Sequence, residues 1–115
     1  MRAADRGSPD GQYSVGVLYM QGRGVEKSFP QAIRWFTRAA RSGHPQAMNN
    51  LGVIHANGLG TEKDNVRAYA WFVLGAEAGS RDAADNQRIT AAALTAKERA
   101  DGDALAAELG TKAQR

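Results

Sequence analysis

GSPDGQYSVGVLYMQGRGVEKSFPQAIRWFTRAARS, residues 7–42, is followed without a gap by GHPQAMNNLGVIHANGLGTEKDNVRAYAWFVLGAEA, residues 43–78. The two stretches superimpose at a constant offset of 36 residues. Gly7, Pro9, Gly16, Val17, Gly22, Gly24, Glu26, Lys27, Ala32, Trp35, Phe36 and Ala40 recur as Gly43, Pro45, Gly52, Val53, Gly58, Gly60, Glu62, Lys63, Ala68, Trp71, Phe72 and Ala76. Other pairs are conservative, among them Val15/Leu51, Leu18/Ile54 and Ser28/Asp64. A fixed period of this length marks a repeat array such as a solenoid or a propeller. Glycines and aromatics that keep step decide for the array.

Within each unit the pattern predicts two helices. Pro9 and Pro45 suit a first helical turn, where the missing N–H is not needed, and Ser8 is a good N-cap. Gly11, Val15, Leu18 and Tyr19, with their copies Ala47, Leu51, Ile54 and His55, fall on one helical face. Gly16 and Gly52 stand inside this helix at a cost of about 1 kcal/mol each against alanine. Their recurrence predicts close approach of a neighbouring helix. Gly22 and Gly24, like Gly58 and Gly60, end the helix and permit the positive φ of a C-terminal cap. Ser28 with Gln31 reads as a capping box and Asp64 as the matching N-cap of the second helix. The second helix buries Ala32, Trp35, Phe36, Ala39 and Ala40, repeated as Ala68, Trp71, Phe72, Gly75 and Ala76. Large rings alternate there with small residues, so adjacent helices can interdigitate. Gly43 and Gly79 close the units. The expected fold is therefore all-α, an α/α solenoid built as a right-handed superhelix of antiparallel helix hairpins.

Working outward, residues 3–7 align with residues 39–43, the end of a unit, and residues 1–7 are expected to be the end of a truncated preceding repeat. The two repeats span residues 8–43 and 44–79. Residues 80–94 keep helical spacing but lose the glycine pair and the tryptophan, and read as a degenerate repeat helix. Thr95 with Glu98 opens a capping helix over residues 95–109 that covers the open end of the stack, weakened by Gly102. Residues 110–115 are expected to be a frayed tail. The truncated start leaves an uncovered N-terminal end, open to self-association.

The whole chain has 115 residues, room for one domain with a modest core. It has no cysteine, which removes disulfides, thiolate metal sites and cysteine nucleophiles. No apolar run reaches the roughly 18 residues needed to span a bilayer, and the first residues lack the apolar core of a signal peptide. The net charge of +3 is mild. It lacks the dense basic patch with interleaved aromatics of a nucleic-acid binder, so none is expected.

Leu51-Gly52, Gly58-x-Gly60, Ala68-x-x-Trp71-Phe72 and Ala76-x-x-Gly79, with their first-unit match, resemble the Sel-1-like repeat, a relative of the tetratricopeptide repeat. The resemblance covers about residues 3–90 and departs from the pattern at His55, Thr61 and Gly75, none of which disturbs the fold. It implies a binding or adaptor role, often in bacterial proteins of the envelope or of signalling, and a fold without catalytic residues or cofactors. Cytoplasm and periplasm both stay open as compartments.

In tetratricopeptide-like arrays the free face of the first helices lines a concave groove. On this chain that face carries Tyr13, Val17, Met20 and Gln21, with Asn49, Val53, Ala56 and Asn57 as their copies. It is more apolar than solubility requires and suits a protein or peptide partner. The opposing expectation is that neighbouring first helices cover these side chains. The function expected from this reading is a non-catalytic interaction module that binds a peptide or a partner domain on the concave face. The alternatives are an envelope glycan- or peptidoglycan-binding module and a structural spacer in a longer protein. A hydrolase fits least, because no nucleophile–base set or carboxylate pair stands out. Arg34, Arg38 and Arg41 align opposite Trp35 and Phe36 and read as a solvated convex face more than as a docking site for an acidic partner. His55 reads as a satisfied, half-buried histidine, since no metal-ligand spacing includes it. Trp35 and Trp71 read as core anchors. The Gly-x-Gly pairs follow helices, not strands, and so are not phosphate loops.

Overall fold

The computed structural model describes residues 8–113, and the stub expected over residues 1–7 lies outside them. Six helices follow in order: α1 (Pro9–Gln21), α2 (Phe29–Arg41), α3 (Pro45–Asn57), α4 (Asn65–Glu77), α5 (Arg81–Ala92) and α6 (Ala96–Ala113). α1 pairs with α2 and α3 with α4, as the repeat requires, and α3 also packs against α2 and α5. The first helices α1, α3 and α5 form one layer, and α2 and α4 form the second.

Local chemistry sets the helix ends. The Ser8 hydroxyl accepts from the Gly11 N–H at 3.3 Å, Ser28 from Gln31 at 3.2 Å and Asp64 from Arg67 at 2.9 Å. The Nδ1 of His44 accepts from Ala47 at 3.1 Å, so an imidazole caps α3 where Ser8 caps α1. Gly22 and Gly58 take φ of 68° and 66°, the left-handed caps that only glycine adopts without strain. The capping box expected from Ser28 and Gln31 forms on one side only. The Ser28 N–H donates instead to the Tyr19 carbonyl at 2.9 Å, and Asp64 repeats this with His55 at 2.8 Å. Each loop is thus tied back to the helix it leaves.

Phe36, Leu51 and Ile54 are the largest fully buried side chains. The mid-helix glycines are contact points: a Cβ on Gly16 would stand 2.7 Å from the Phe36 ring, and one on Gly52 would meet three carbons of the Phe72 ring within 2.8 Å. Each unit locks its two helices by a ring seated on a glycine.

α6 departs from the expected cap. It starts after a complete capping box, in which Thr95 N–H donates to Glu98 at 2.9 Å and Glu98 N–H to the Thr95 hydroxyl at 3.0 Å. It then runs alongside α4, with Gly102 beside Tyr69 and Gly110 beside Leu74, and reaches α2. It covers the outer side of the second layer instead of the end of the stack. The reason lies in α4, where Ala70 and Leu74 replace Arg34 and Arg38 of α2 and leave an apolar face to bury. The helix also continues to Ala113, past the expected end at 109. Gly110 takes no left-handed cap; a Cβ there would stand 3.1 Å from Leu74, so it is a contact glycine and not a stop.

Candidate functional site

The exposed face of the first-helix layer is built from four positions that repeat across three helices. Asp10, Ser14, Val17 and Gln21 on α1 correspond to Gln46, Asn50, Val53 and Asn57 on α3, and to Asp82, Asn86, Ile89 and Ala93 at α5. Val17 and Val53 are half-buried and Ile89 is 69% exposed. An apolar row thus crosses three helices, with a Ser/Asn/Asn row on one side and Gln21 and Asn57 on the other. Ile89, Asn50 and Asn86 were not among the expected contact residues, and after Gly79 the repeat's glycine and tryptophan landmarks are lost. Adding one more period to Val53 finds Ile89.

The structure separates the expected contact residues. Val17, Val53, Gln21 and Asn57 lie on this face, and the Asn57 Nδ2 donates to the Val53 carbonyl at 2.9 Å. Met20, like Val17 and Val53, is half-buried against the core. Asn49 is not available as a contact: it is 7% exposed and its Oδ1 accepts from Asn86 Nδ2 at 2.9 Å. Tyr13 holds the same place one unit earlier. Its ring stacks on His44 at 4.6 Å and tilts over Phe36 at 5.6 Å, while its hydroxyl accepts from Asn50 Nδ2 at 3.4 Å. Both side chains point along the layer and join one first helix to the next. A second staple repeats in the same way, from the His44 Nε2 to the Asp10 carboxylate at 3.0 Å and from the Ser80 hydroxyl to the Gln46 Oε1 at 2.9 Å. These lateral bonds fix the spacing of the three helices and hence the exposed rows.

The arginines also separate. The Arg38 guanidinium lies 4.8 Å from the centre of the Trp35 ring, Arg34 is exposed, and Arg41 borders a cavity between α2 and α4. Trp71 is buried as expected, but Trp35 is only half-buried. Among the described residues no group of three or more His, Cys, Asp or Glu side chains is placed to hold a metal. No described helix is long and apolar enough to cross a membrane.

His55 makes no side-chain hydrogen bond among the described residues, against the expectation of a satisfied histidine. Burial first, and the Arg67 charge second, hold its imidazole below the usual histidine range, with Asp64 opposing. The folded state therefore binds this proton less readily than the unfolded chain. Its contribution to stability is complete above the unfolded value of about 6.5 and is lost as pH falls below it towards the lowered folded value. Urea midpoints measured at about pH 7.5 and about pH 5.5 should fall less in His55→Tyr, which copies Tyr19, than in the parent chain. An equal fall in both would show that His55 does not carry the effect.

Comparison with known proteins places these observations. The model of the Sel1 repeat family matches residues 9–44 and 45–80. The crystal structure of c5321, a protective antigen present in uropathogenic Escherichia coli strains that displays an SLR fold, superimposes with a TM-score of 0.90 at 35% identity. That match covers 96% of this chain and 24% of the antigen. A Sel1 repeat protein from Oxalobacter formigenes superimposes with a TM-score of 0.69 at 30% identity, over 74% of this chain and 35% of that one. The chain thus spans about a quarter and about a third of the two proteins. Among curated proteins nothing matches.

Proposed function

We propose, for a chain that belongs to the Sel1 repeat family, a non-catalytic binding module that takes an extended peptide segment of a partner across its first-helix face. Repeats of this family typically serve as protein–protein interaction modules. The observation that carries the reading is the apolar register Val17, Val53 and Ile89 on three helices, in which the two valines rest half-buried against the core and Ile89 stands 69% exposed. An isolated exposed isoleucine needs no explanation, but a row at the repeat period is a continuous surface. The flanking Asn50, Asn86, Gln21 and Asn57 suit a peptide, because a carboxamide both donates and accepts and so matches either backbone group. Packed helices lie roughly 8–10 Å apart and extended chain rises about 3.3 Å per residue. About three peptide residues would therefore cross each helix. Tyr13, Asn49 and their lateral bonds would hold the surface rigid, which lowers the ordering cost of binding.

Peptides selected from a displayed random library would test the reading. Selected peptides should shift the backbone amide resonances of Val17, Val53 and Ile89, and Ile89→Glu should weaken them about 10-fold or more, as burial of a charge in an apolar contact requires. Shifts confined to other faces, or affinities unchanged by Ile89→Glu, would sink it.

A further inference from the structure

On the opposite side of the molecule, a cavity of about 360 Å³ opens between α2 and α4. Leu51 of α3 forms an apolar floor, Ile33 and Trp71 stand on the two walls, and Leu109 of α6 reaches in from the covering helix. Three nitrogen-bearing side chains also line this space: Arg67 at the start of α4, Arg41 at the end of α2, and His55 of α3. Among the described residues no carboxylate lines it. Arg41 has no ion-pair partner among the described residues. Arg67 has only Asp64 one turn away, Nε to Oδ2 at 3.8 Å, with both side chains nearly half exposed, a pair worth little in water. A mostly apolar cavity of this size with a few convergent polar groups is the usual form of a small-ligand site.

The repeat itself shows that stacking does not need these cations. At the matching places the other unit carries Tyr19 for His55, Gln31 for Arg67 and Glu77 for Arg41, while Trp35 and Trp71 are kept. The fold requires the ring and tolerates a neutral or acidic side chain at the rest. The positive lining is thus peculiar to the cavity between α2 and α4, and His55 there is desolvated and feels the Arg67 charge, with Asp64 opposing it.

We propose that this cavity binds the carboxylate of a ligand with an apolar body, the group that both a peptide's C-terminal residue and a small aryl or alkyl acid present. The guanidinium groups of Arg67 and Arg41 on the lining would hold the carboxylate by charge-assisted hydrogen bonds, and Trp71, Ile33 and Leu109 would enclose the apolar part. This site lies apart from the first-helix face and does not depend on the role given to it.

The indole N–H resonance of Trp71, identified by its survival in Trp35→Phe, reports on the cavity directly. Three probes are titrated: phenylacetate, the peptide N-acetyl-Gly-Gly-Phe with a free C-terminus, and the same peptide as its C-terminal amide. The expected result is a saturable shift with at least one of the two acids and none with the amide. Response to phenylacetate alone assigns the site to small free acids; response to the peptide acid assigns it to C-termini. Arg67→Gln and Arg41→Glu each copy the other unit, so the fold accepts them, and each should weaken the acid about 10- to 100-fold, the loss of a hydrogen bond to a charged group. No saturable shift by either acid, equal shifts by acid and amide, or affinities unchanged by both arginine variants would overturn the assignment.

Discussion

Phe72→Ala should destabilise the fold by about 3–5 kcal/mol, the usual cost of emptying a buried aromatic site. Phe72 is 2% exposed and its ring lies on Gly52, where helix α3 has no side chain to fill the space left behind. The neighbouring Ala68 and Ala83 are too small to collapse into it. Gly52→Ala probes the same contact from the other side, where two effects oppose. Alanine raises helix propensity by about 1 kcal/mol. Its Cβ would also press within 2.8 Å of three ring carbons, and overpacking of this kind costs about 1–3 kcal/mol. A ring held on all sides cannot give way, so the clash should win in the parent chain. Once Phe72 is alanine the clash is gone, and Gly52→Ala should stabilise by up to about 1 kcal/mol. Urea unfolding of the four chains measures this cycle. Additive effects would mean that the glycine is not there for the ring.

Much of this contact was legible in the sequence. Two mid-helix glycines one period apart, each 20 residues before a phenylalanine, pointed to a steric need. What could not be read was identity of neighbours. A helical wheel places Tyr13 and Asn49 on a free face, but only the lateral packing of α1, α3 and α5 shows that they bridge to Asn50 and Asn86. The exposed rows are visible once the period is carried into α5, where the degenerate sequence hides it: Ile89 keeps the apolar register though the glycines and tryptophan are lost. Ser28 and Gln31 fit a capping box by spacing, yet the loop returns the Ser28 N–H to Tyr19, and loop paths are not encoded in spacing. Gly102 and Gly110 show the same limit. A glycine in a helical run reads as weakness or as a stop, whereas here each marks where α6 meets α4, Gly102 with a would-be Cβ 2.5 Å from the Tyr69 ring.

Removing α6, by ending the chain at Leu94, should cost about 4–8 kcal/mol, a large part of the roughly 5–15 kcal/mol that holds a small domain together. Tyr69, Leu74 and part of Trp71 lose cover, and burial of each large side chain is worth about 1.5–3 kcal/mol. Tyr69 and Leu74 are 7% and 8% exposed with α6 in place. The hydrogen bond from the Tyr69 hydroxyl to Asp103 at 2.9 Å goes as well. Burial, with that bond second, pushes the Tyr69 phenol above its usual range. The first unit predicts the remedy. There Arg34 and Arg38 occupy the places of Ala70 and Leu74, and α2 needs no covering helix over them. Ala70→Arg with Leu74→Arg in the shortened chain should therefore restore solubility, though not the lost stability, because the arginines replace exposed apolar surface without burying any. Circular dichroism melts and sedimentation of the full, shortened and arginine-bearing chains decide the matter. A shortened chain that melts with the full one would mean that α6 is an appendage and that the repeats stand without it.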